Sequence, residues 1–144
     1  MALDASHLHK RCDTLEQALL AIDRHPEVSD SVLFDLYRNA AIKSFELSLE
    51  TAGKLLRKAL KAFEASPRSV DALVFNDVLR HAGKHGMLSS VEVERWLAYR
   101  ANRNSTAHDY GAGFANDTLQ LLPAYLQDVR NLALALQKVF DASA

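Results

Sequence analysis

Residues 33–63 read LFDLYRNAAIKSFELSLETAGKLLRKALKAF, a stretch without proline in which apolar side chains recur every three or four residues. This spacing places them on one face of an α-helix. We predict a long helix over residues 29–65, capped at its start by Ser29 or Asp30. Gly53 is its weak interior point and costs roughly 1 kcal/mol relative to alanine, unless close packing needs it. The apolar stripe comprises Leu33, Leu36, Ala40, Phe45, Leu49, Leu56, Leu60 and Phe63.

The same periodicity predicts one helix before this segment and three after it. The first covers residues 4–24 and ends at His25-Pro26, because the residue before a proline is pushed out of the helical region. The others cover residues 69–85, 89–104 and 116–140. No alternation typical of β-strands stands out. We therefore predict an all-α fold, an antiparallel, up-and-down bundle of four or five helices.

Local signals mark several helix ends. Gly83 and Gly86 should end the third helix. Ser89 and Glu92 have the spacing of a capping box, in which each side chain bonds the backbone N–H of the other residue. Pro123 should kink the last helix, because proline clashes with the carbonyl four residues back.

Length and composition indicate one globular domain over residues 1–144, since 49% of the residues are hydrophobic. Cys12 is the sole cysteine, which excludes an intramolecular disulfide and a two-cysteine metal motif. The first residues lack the features of a secretion signal, and no run of about 20 apolar residues could span a membrane. We expect a cytoplasmic protein without a membrane segment.

The formal net charge of −1 argues against a general nucleic-acid coat protein, which would carry a strong basic excess. Local charge departs from this average, however. Arg95, Arg100 and Arg103 lie close together in the sequence. The net charge therefore does not exclude a small basic patch there.

The apolar rhythm fails between residues 102 and 116, where the chain carries Arg103, Asn104, His108 and Tyr110. A polar stretch between two strong helices is where a site usually lies. The plain alternative is a polar helix end, with Arg103 favoured there by the helix dipole. Five residues along an ideal helix separate side chains by about 140°, so Arg103 and His108 would not share a face. Either the helix unwinds before His108, or a second subunit completes the site.

This motif and the helices around it resemble the HEPN family in its toxin-like branch, also catalogued as nucleotidyltransferase substrate-binding proteins. The motif residues are Arg103, Asn104, His108 and Tyr110. The resemblance extends over most of the chain. It includes the long helix with Phe45-Glu46-Leu47-Ser48-Leu49-Glu50, Trp96 seven residues before Arg103, and a last amphipathic helix.

The resemblance implies a homodimeric toxin, encoded beside a cognate MNT-type nucleotidyltransferase that acts as its antitoxin. It implies a metal-independent endoribonuclease that needs no cofactor and takes RNA as its substrate. Arg103 and His108 would form the cleavage site, with Asn104 assisting. The partner would adenylylate Tyr110 and so neutralise the toxin. The alternatives are a non-catalytic substrate-binding subunit of a nucleotidyltransferase complex and a plain helical scaffold without a ligand.

The chemistry of these residue types fits that scheme. Cleavage of RNA through its own 2′-hydroxyl needs removal of a proton and stabilisation of charge at the phosphorus centre. His108 can move the proton, and Arg103 can hold two phosphate oxygens. The Tyr110 phenol, ordinarily with a pKa of about 10, is a poor nucleophile until a partner activates it. Its plain alternative is a tyrosine packed over a turn.

Other candidate residues have simpler interpretations. His81 and His85 stand one helical turn apart, but no Cys, Asp or Glu lies at ligand spacing in the sequence, so we interpret them as a solvated pair. Cys12 lies on an apolar face and is expected in the core. Trp96 is expected to be a core or interface anchor, not a platform for base stacking. Asp109 either orients the histidine of a neighbouring subunit or is a turn residue.

Overall fold

The structure, a computed structural model, describes residues 4–28, 31–64, 66–106 and 112–143. These residues form six α-helices and a single turn of 3₁₀ helix, and none of them is in a β-strand, so the all-α prediction is confirmed. The helices are α1 (Ser6–Arg24), the 3₁₀ turn (Pro26–Val28), α2 (Val32–Leu60), α3 (Pro67–Asp71), α4 (Phe75–Lys84), α5 (Ser90–Thr106) and α6 (Ala112–Ser143).

The long helix α2 is capped by Ser31, whose Oγ accepts a hydrogen bond from the backbone N–H of Phe34 at 3.3 Å. The expected caps, Ser29 and Asp30, lie outside the described residues. The helix is shorter at both ends than the predicted range of 29–65.

The apolar stripe of α2 is buried over the middle and end of the helix but not at its start. Phe45 and Leu49 belong to the core, whereas Leu33 and Leu36 near the start of the helix are exposed. Phe63, which follows the end of α2, is also exposed. The reason is that α2 packs against α1, α4 and α6 mainly over its middle and end.

The predicted third helix is wrong as a single element, because residues 72–74 separate α3 from α4. In a continuous helix the carbonyl of Val70 would accept the N–H of Val74. Instead it accepts a hydrogen bond from Arg57 Nη1 of α2 at 3.0 Å and one from the N–H of Leu73. Val74 is extended (ψ 158°) and exposed.

Gly86, not Gly83, ends α4. Its φ is +79°, which favours glycine. The N–H of Met87 then reaches back to the carbonyl of Ala82 at 2.9 Å, as in a Schellman C-cap. Gly83 lies inside the helix, where a Cβ would meet Val93 Cγ2 at 2.7 Å.

The capping box at the start of α5 is confirmed. The Ser89 hydroxyl accepts the Glu92 N–H at 3.1 Å, and the Glu92 carboxylate accepts the Ser89 N–H at 3.0 Å. Both bonds satisfy backbone donors that have no partner within the helix.

Helix α6 begins at Ala112, four residues before the predicted start, and contains Pro123. It runs antiparallel to α1, because the N–H of Ala5, just before α1, bonds Gln137 Oε1 near the end of α6 at 2.9 Å. No helix in the described parts of the chain combines the length and apolar character that a membrane span requires.

An aromatic cluster fills the core where α2, α5 and α6 meet. Trp96 is fully buried, with its ring 5.6 Å from Tyr125 and 5.7 Å from Tyr99. Tyr125 also packs edge-on against Phe45. Cys12 is fully buried on α1, and burial raises the pKa of its thiol to about 11. Both Trp96 and Cys12 are therefore core residues, as expected.

Candidate functional site

Arg103 lies in the last turn of α5 and faces α2. Its Nη2 is 3.7 Å from Glu46 Oε2, and the side chain is 31% exposed. Asn104, the next residue, is exposed. His108 and Tyr110 lie outside the described residues. The structure thus brings Arg103 to a neighbouring helix and leaves Asn104 at the surface.

Arg103 lines a groove of about 350 Å³ between α2, the start of α4 and α5. Five basic side chains and two acidic ones line this groove, which gives it a local excess of three positive charges. Sequence spacing could not reveal this excess, because most of the basic residues come from α2. The basic residues are Lys43, Lys54, Arg57, Arg100 and Arg103, and the acidic ones are Glu46 and Glu50.

The groove has a tightly packed wall at Gly53. A Cβ at this position would meet Phe75 Cε2 at 2.5 Å, so close packing does need the glycine. The guanidinium carbon of Arg100 lies 4.9 Å from the centroid of the same ring, which is cation–π distance. Phe75 therefore holds Arg100 in place at the groove.

Of the three arginines that lie close together in the sequence, Arg95 does not line the groove. Its Nε and Nη2 donate to both carboxylate oxygens of Asp128 on α6, at 2.8 and 2.7 Å. The Tyr99 hydroxyl donates to the same carboxylate. Burial alone would raise the pKa of Asp128, but the bonds from Arg95 and Tyr99 outweigh it, and the pKa is lowered. This network joins α5 to α6.

A second link joins these two helices next to the motif. Thr118 Oγ1, which is fully buried, donates to Asn102 Oδ1 at 3.1 Å across sixteen residues of sequence. This bond links α5 to α6, the two helices that flank the segment carrying His108 and Tyr110. Neither residue could be assigned this role from the sequence, because a threonine and an asparagine in helices give no distinctive signal for a contact between helices.

The interpretation of His81 and His85 as a solvated pair is wrong. Glu64, which follows α2, has its Oε1 2.6 Å from His81 Nδ1 and 3.2 Å from His85 Nε2. Glu64 lies 17 residues before His81, too far along the sequence for the contact to be recognised from spacing within one helix. Among the residues whose placement is described, no three His, Cys, Asp or Glu side chains form a group suited to a metal ion.

Comparison with known proteins places these features in a family. Residues 10–138 match a family described as nucleotidyltransferase substrate binding protein like. A probable ribonuclease HepT from Haemophilus influenzae is 31% identical over 99 residues, which are 67% of this chain and 66% of that relative.

Two solved structures share the fold. One, from Haemophilus influenzae, is described as the fold of a substrate binding domain of a nucleotidyltransferase. It has a TM-score of 0.82 at 24% identity and covers 92% of this chain and 98% of the other. A protein from Thermus thermophilus has a TM-score of 0.63 at 25% identity, with coverage of 85% and 98%. The chain therefore belongs to the HepT-like family of nucleotidyltransferase substrate-binding proteins.

Proposed function

We propose that this protein is the toxin of a HEPN–MNT module, a metal-independent endoribonuclease that works as a homodimer. Arg103 and His108 cleave RNA with the assistance of Asn104. A partner nucleotidyltransferase neutralises the protein by adenylylating Tyr110. The similarity to a probable ribonuclease supports the activity, and the family match supports the partner.

The observation that carries this proposal is the setting of Arg103 in a groove with excess positive charge. Glu46 contacts the guanidinium at 3.7 Å, a distance long enough that a phosphate can compete for the same donors. The pair is half-buried, with 31% of the Arg103 side chain and 24% of the Glu46 side chain exposed. Arg103 thus contributes a positive charge to the lining of the groove.

The proposed reaction divides between the imidazole and the guanidinium. His108 takes the proton from the ribose 2′-hydroxyl as its oxygen attacks phosphorus, and the bond to the 5′-oxygen of the next nucleotide breaks. A proton returns to that oxygen, which leaves a 2′,3′-cyclic phosphate and a free 5′-hydroxyl. Arg103 stabilises the charge that develops on the non-bridging oxygens. The guanidinium is permanently charged, so it supplies this stabilisation without a metal.

Cleavage of a labelled single-stranded RNA in the presence of EDTA tests the activity. We expect wild-type protein to cut the RNA and His108→Ala to lose about 10²–10⁴-fold in rate, the usual contribution of proton transfer. His7→Ala, at an exposed position on α1, is the matched control and should retain activity. Circular dichroism should show equal helicity in all three proteins. Equal background cleavage by wild type and His108→Ala would contradict the proposed ribonuclease activity.

The regulatory step is tested with the partner enzyme and ATP. The Tyr110 oxygen should attack the α-phosphorus of ATP, lose its proton and release pyrophosphate. Mass spectrometry should find AMP on Tyr110 of the wild type and none on Tyr110→Phe. A label on another residue, or no label, would discard this part of the proposal.

The description of the family as substrate-binding proteins favours a second candidate function, a non-catalytic subunit of a nucleotidyltransferase complex. Growth of cells that express the protein without its partner separates the two candidates. An active ribonuclease should slow growth in an Arg103- and His108-dependent manner. A binding subunit should leave growth unchanged.

A further inference from the structure

We propose that the groove between α2 and α5 binds the sugar–phosphate backbone of an RNA strand beside the bond that is cut, with Lys43 and Lys54 as its phosphate contacts. This inference rests on the proposed ribonuclease function. It assigns binding to two residues outside the Arg103–Tyr110 motif.

Lys43 and Lys54 form a row along one side of α2. They are eleven residues apart, which is about 16 Å along a helix axis and a rotation of only about 20°. Both line the groove that Arg103 lines from α5. Stacked nucleotides advance about 3.4 Å each, so the row is long enough to meet several successive phosphates.

The other basic residues of the groove have structural partners. Arg57 donates to the Val70 carbonyl at 3.0 Å, and Arg100 lies over the Phe75 ring. Lys54 is 3.2 Å from Glu50 Oε1, but both side chains are more than 60% exposed. Such a pair is weak in water, so a phosphate can take the place of Glu50. Lys43 is likewise exposed.

The groove favours a nucleic-acid strand over an acidic protein surface because it is continuous with Arg103. A strand held there presents one negative charge per nucleotide to Lys43, Lys54 and Arg103, which line the same groove. The protein as a whole has a net charge of −1, so attraction of a polyanion has to come from a local basic surface such as this groove. An acidic surface of the partner enzyme is the competing occupant, and the experiment distinguishes it.

Binding of a 2′-O-methyl single-stranded RNA, which cannot be cleaved through its 2′-hydroxyl, tests the groove without turnover. Fluorescence anisotropy across a salt series would compare wild type with the double variant K43Q/K54Q. We expect the variant to bind about tenfold or more weakly at low salt. Its slope of log affinity against log salt should be shallower by about 1.4, since each phosphate contact to a single strand contributes about 0.7.

The matched control is K10Q/K84Q, which removes the same charge from exposed positions on α1 and α4 that do not line the groove. It should bind RNA like wild type. In cleavage assays K43Q/K54Q should raise KM and leave kcat nearly unchanged, because these lysines would hold substrate and transition state equally.

Three results would overturn the inference. If both double variants bind RNA equally well while wild type cleaves it, the assignment of RNA binding to this groove is wrong, but the proposed ribonuclease activity is not contradicted. If K43Q/K54Q keeps its RNA affinity but no longer binds the partner nucleotidyltransferase, the groove is a protein-binding surface. If wild type neither binds nor cleaves RNA, the proposed function fails together with the inference.

Discussion

The Glu64 carboxylate accepts hydrogen bonds from two histidines, His81 in α4 and His85 just after that helix. His81 and His85 approach the same oxygen, and the His85 ring stacks on Phe63 at a centroid distance of 5.1 Å. The bond from His81 and then the bond from His85 hold the pKa of Glu64 below its ordinary value of 4.5. Ionised Glu64 therefore ties the end of α2 to the end of α4.

Replacing Glu64 by Gln should lower stability at neutral pH and have little effect in acid. A carboxyl whose pKa is lowered by folding stabilises the native state above its unfolded pKa, and this contribution is lost as pH falls through the lowered value. The urea midpoints of wild type and Glu64→Gln should thus differ at about pH 7 and converge as the pH falls below 4.5 and through the lowered pKa of Glu64.

The control for this titration is Glu94→Gln at an exposed position of α5. Its urea midpoint should differ little from that of wild type at either pH. A Glu64→Gln difference that stays constant from neutral to acid pH would contradict the role given to the ionised carboxylate.

At the scale of elements, α2 and α4 approach each other through Gly53 and Phe75. An ideal Cβ at Gly53 would lie 2.5 Å from Phe75 Cε2, which leaves no room for a methyl group. The Phe75 ring also contacts the guanidinium of Arg100. The packing of α2 against α4 and the position of Arg100 at the groove therefore both depend on the absence of a side chain at Gly53.

Gly53→Ala should destabilise the protein by about 1 kcal/mol. Overpacking typically costs about 1–3 kcal/mol, and the better helix propensity of alanine returns about 1 kcal/mol at most. Urea unfolding would measure the change, with Asn39→Ala at an exposed position of α2 as control. In a Phe75→Val background, Gly53→Ala should become stabilising, and a cost that persists there would contradict the steric cause.

Helices α5 and α6 are joined by the carboxylate of Asp128. We expect Asp128→Asn to lower the free energy of unfolding by about 2–3 kcal/mol, because the amide nitrogen would face the donors of Arg95. Asp117→Asn, exposed on the same helix, removes an equal charge and should cost much less. Equal thermal midpoints for the two variants would show that the Arg95–Asp128 pair contributes nothing.

At the scale of the whole molecule, the features that sequence analysis predicted are those set by local chemistry. Helix periodicity and the capping box of Ser89 and Glu92 depend on residues a few positions apart. The break after α3 was not predictable, because Arg57 of another helix takes the Val70 carbonyl. The groove and the Glu64 contacts likewise combine residues from separate helices, whose packing the one-dimensional pattern does not contain.

Complementation between inactive subunits tests the proposed dimer. On an ideal helix Arg103 and His108 point about 140° apart, and α5 stays helical for three residues after Arg103. If one subunit supplies the arginine and the other the histidine, a mixture of Arg103→Ala and His108→Ala proteins forms one intact site. Co-expressed variants should then recover RNA cleavage that neither shows alone, with an Arg103→Ala/His108→Ala double variant as inactive partner control. No recovery in a confirmed heterodimer would assign both groups to the same subunit.

The burial of Trp96 has a practical consequence for these measurements. It is the only tryptophan of the chain and lies fully inside the aromatic core, away from the groove. Its emission should be blue-shifted in the native state, should move to longer wavelength on denaturation, and should not be quenched when an oligonucleotide occupies the groove. Intrinsic fluorescence will therefore report the integrity of the core independently of ligand, in the same cuvette as a dye-labelled strand.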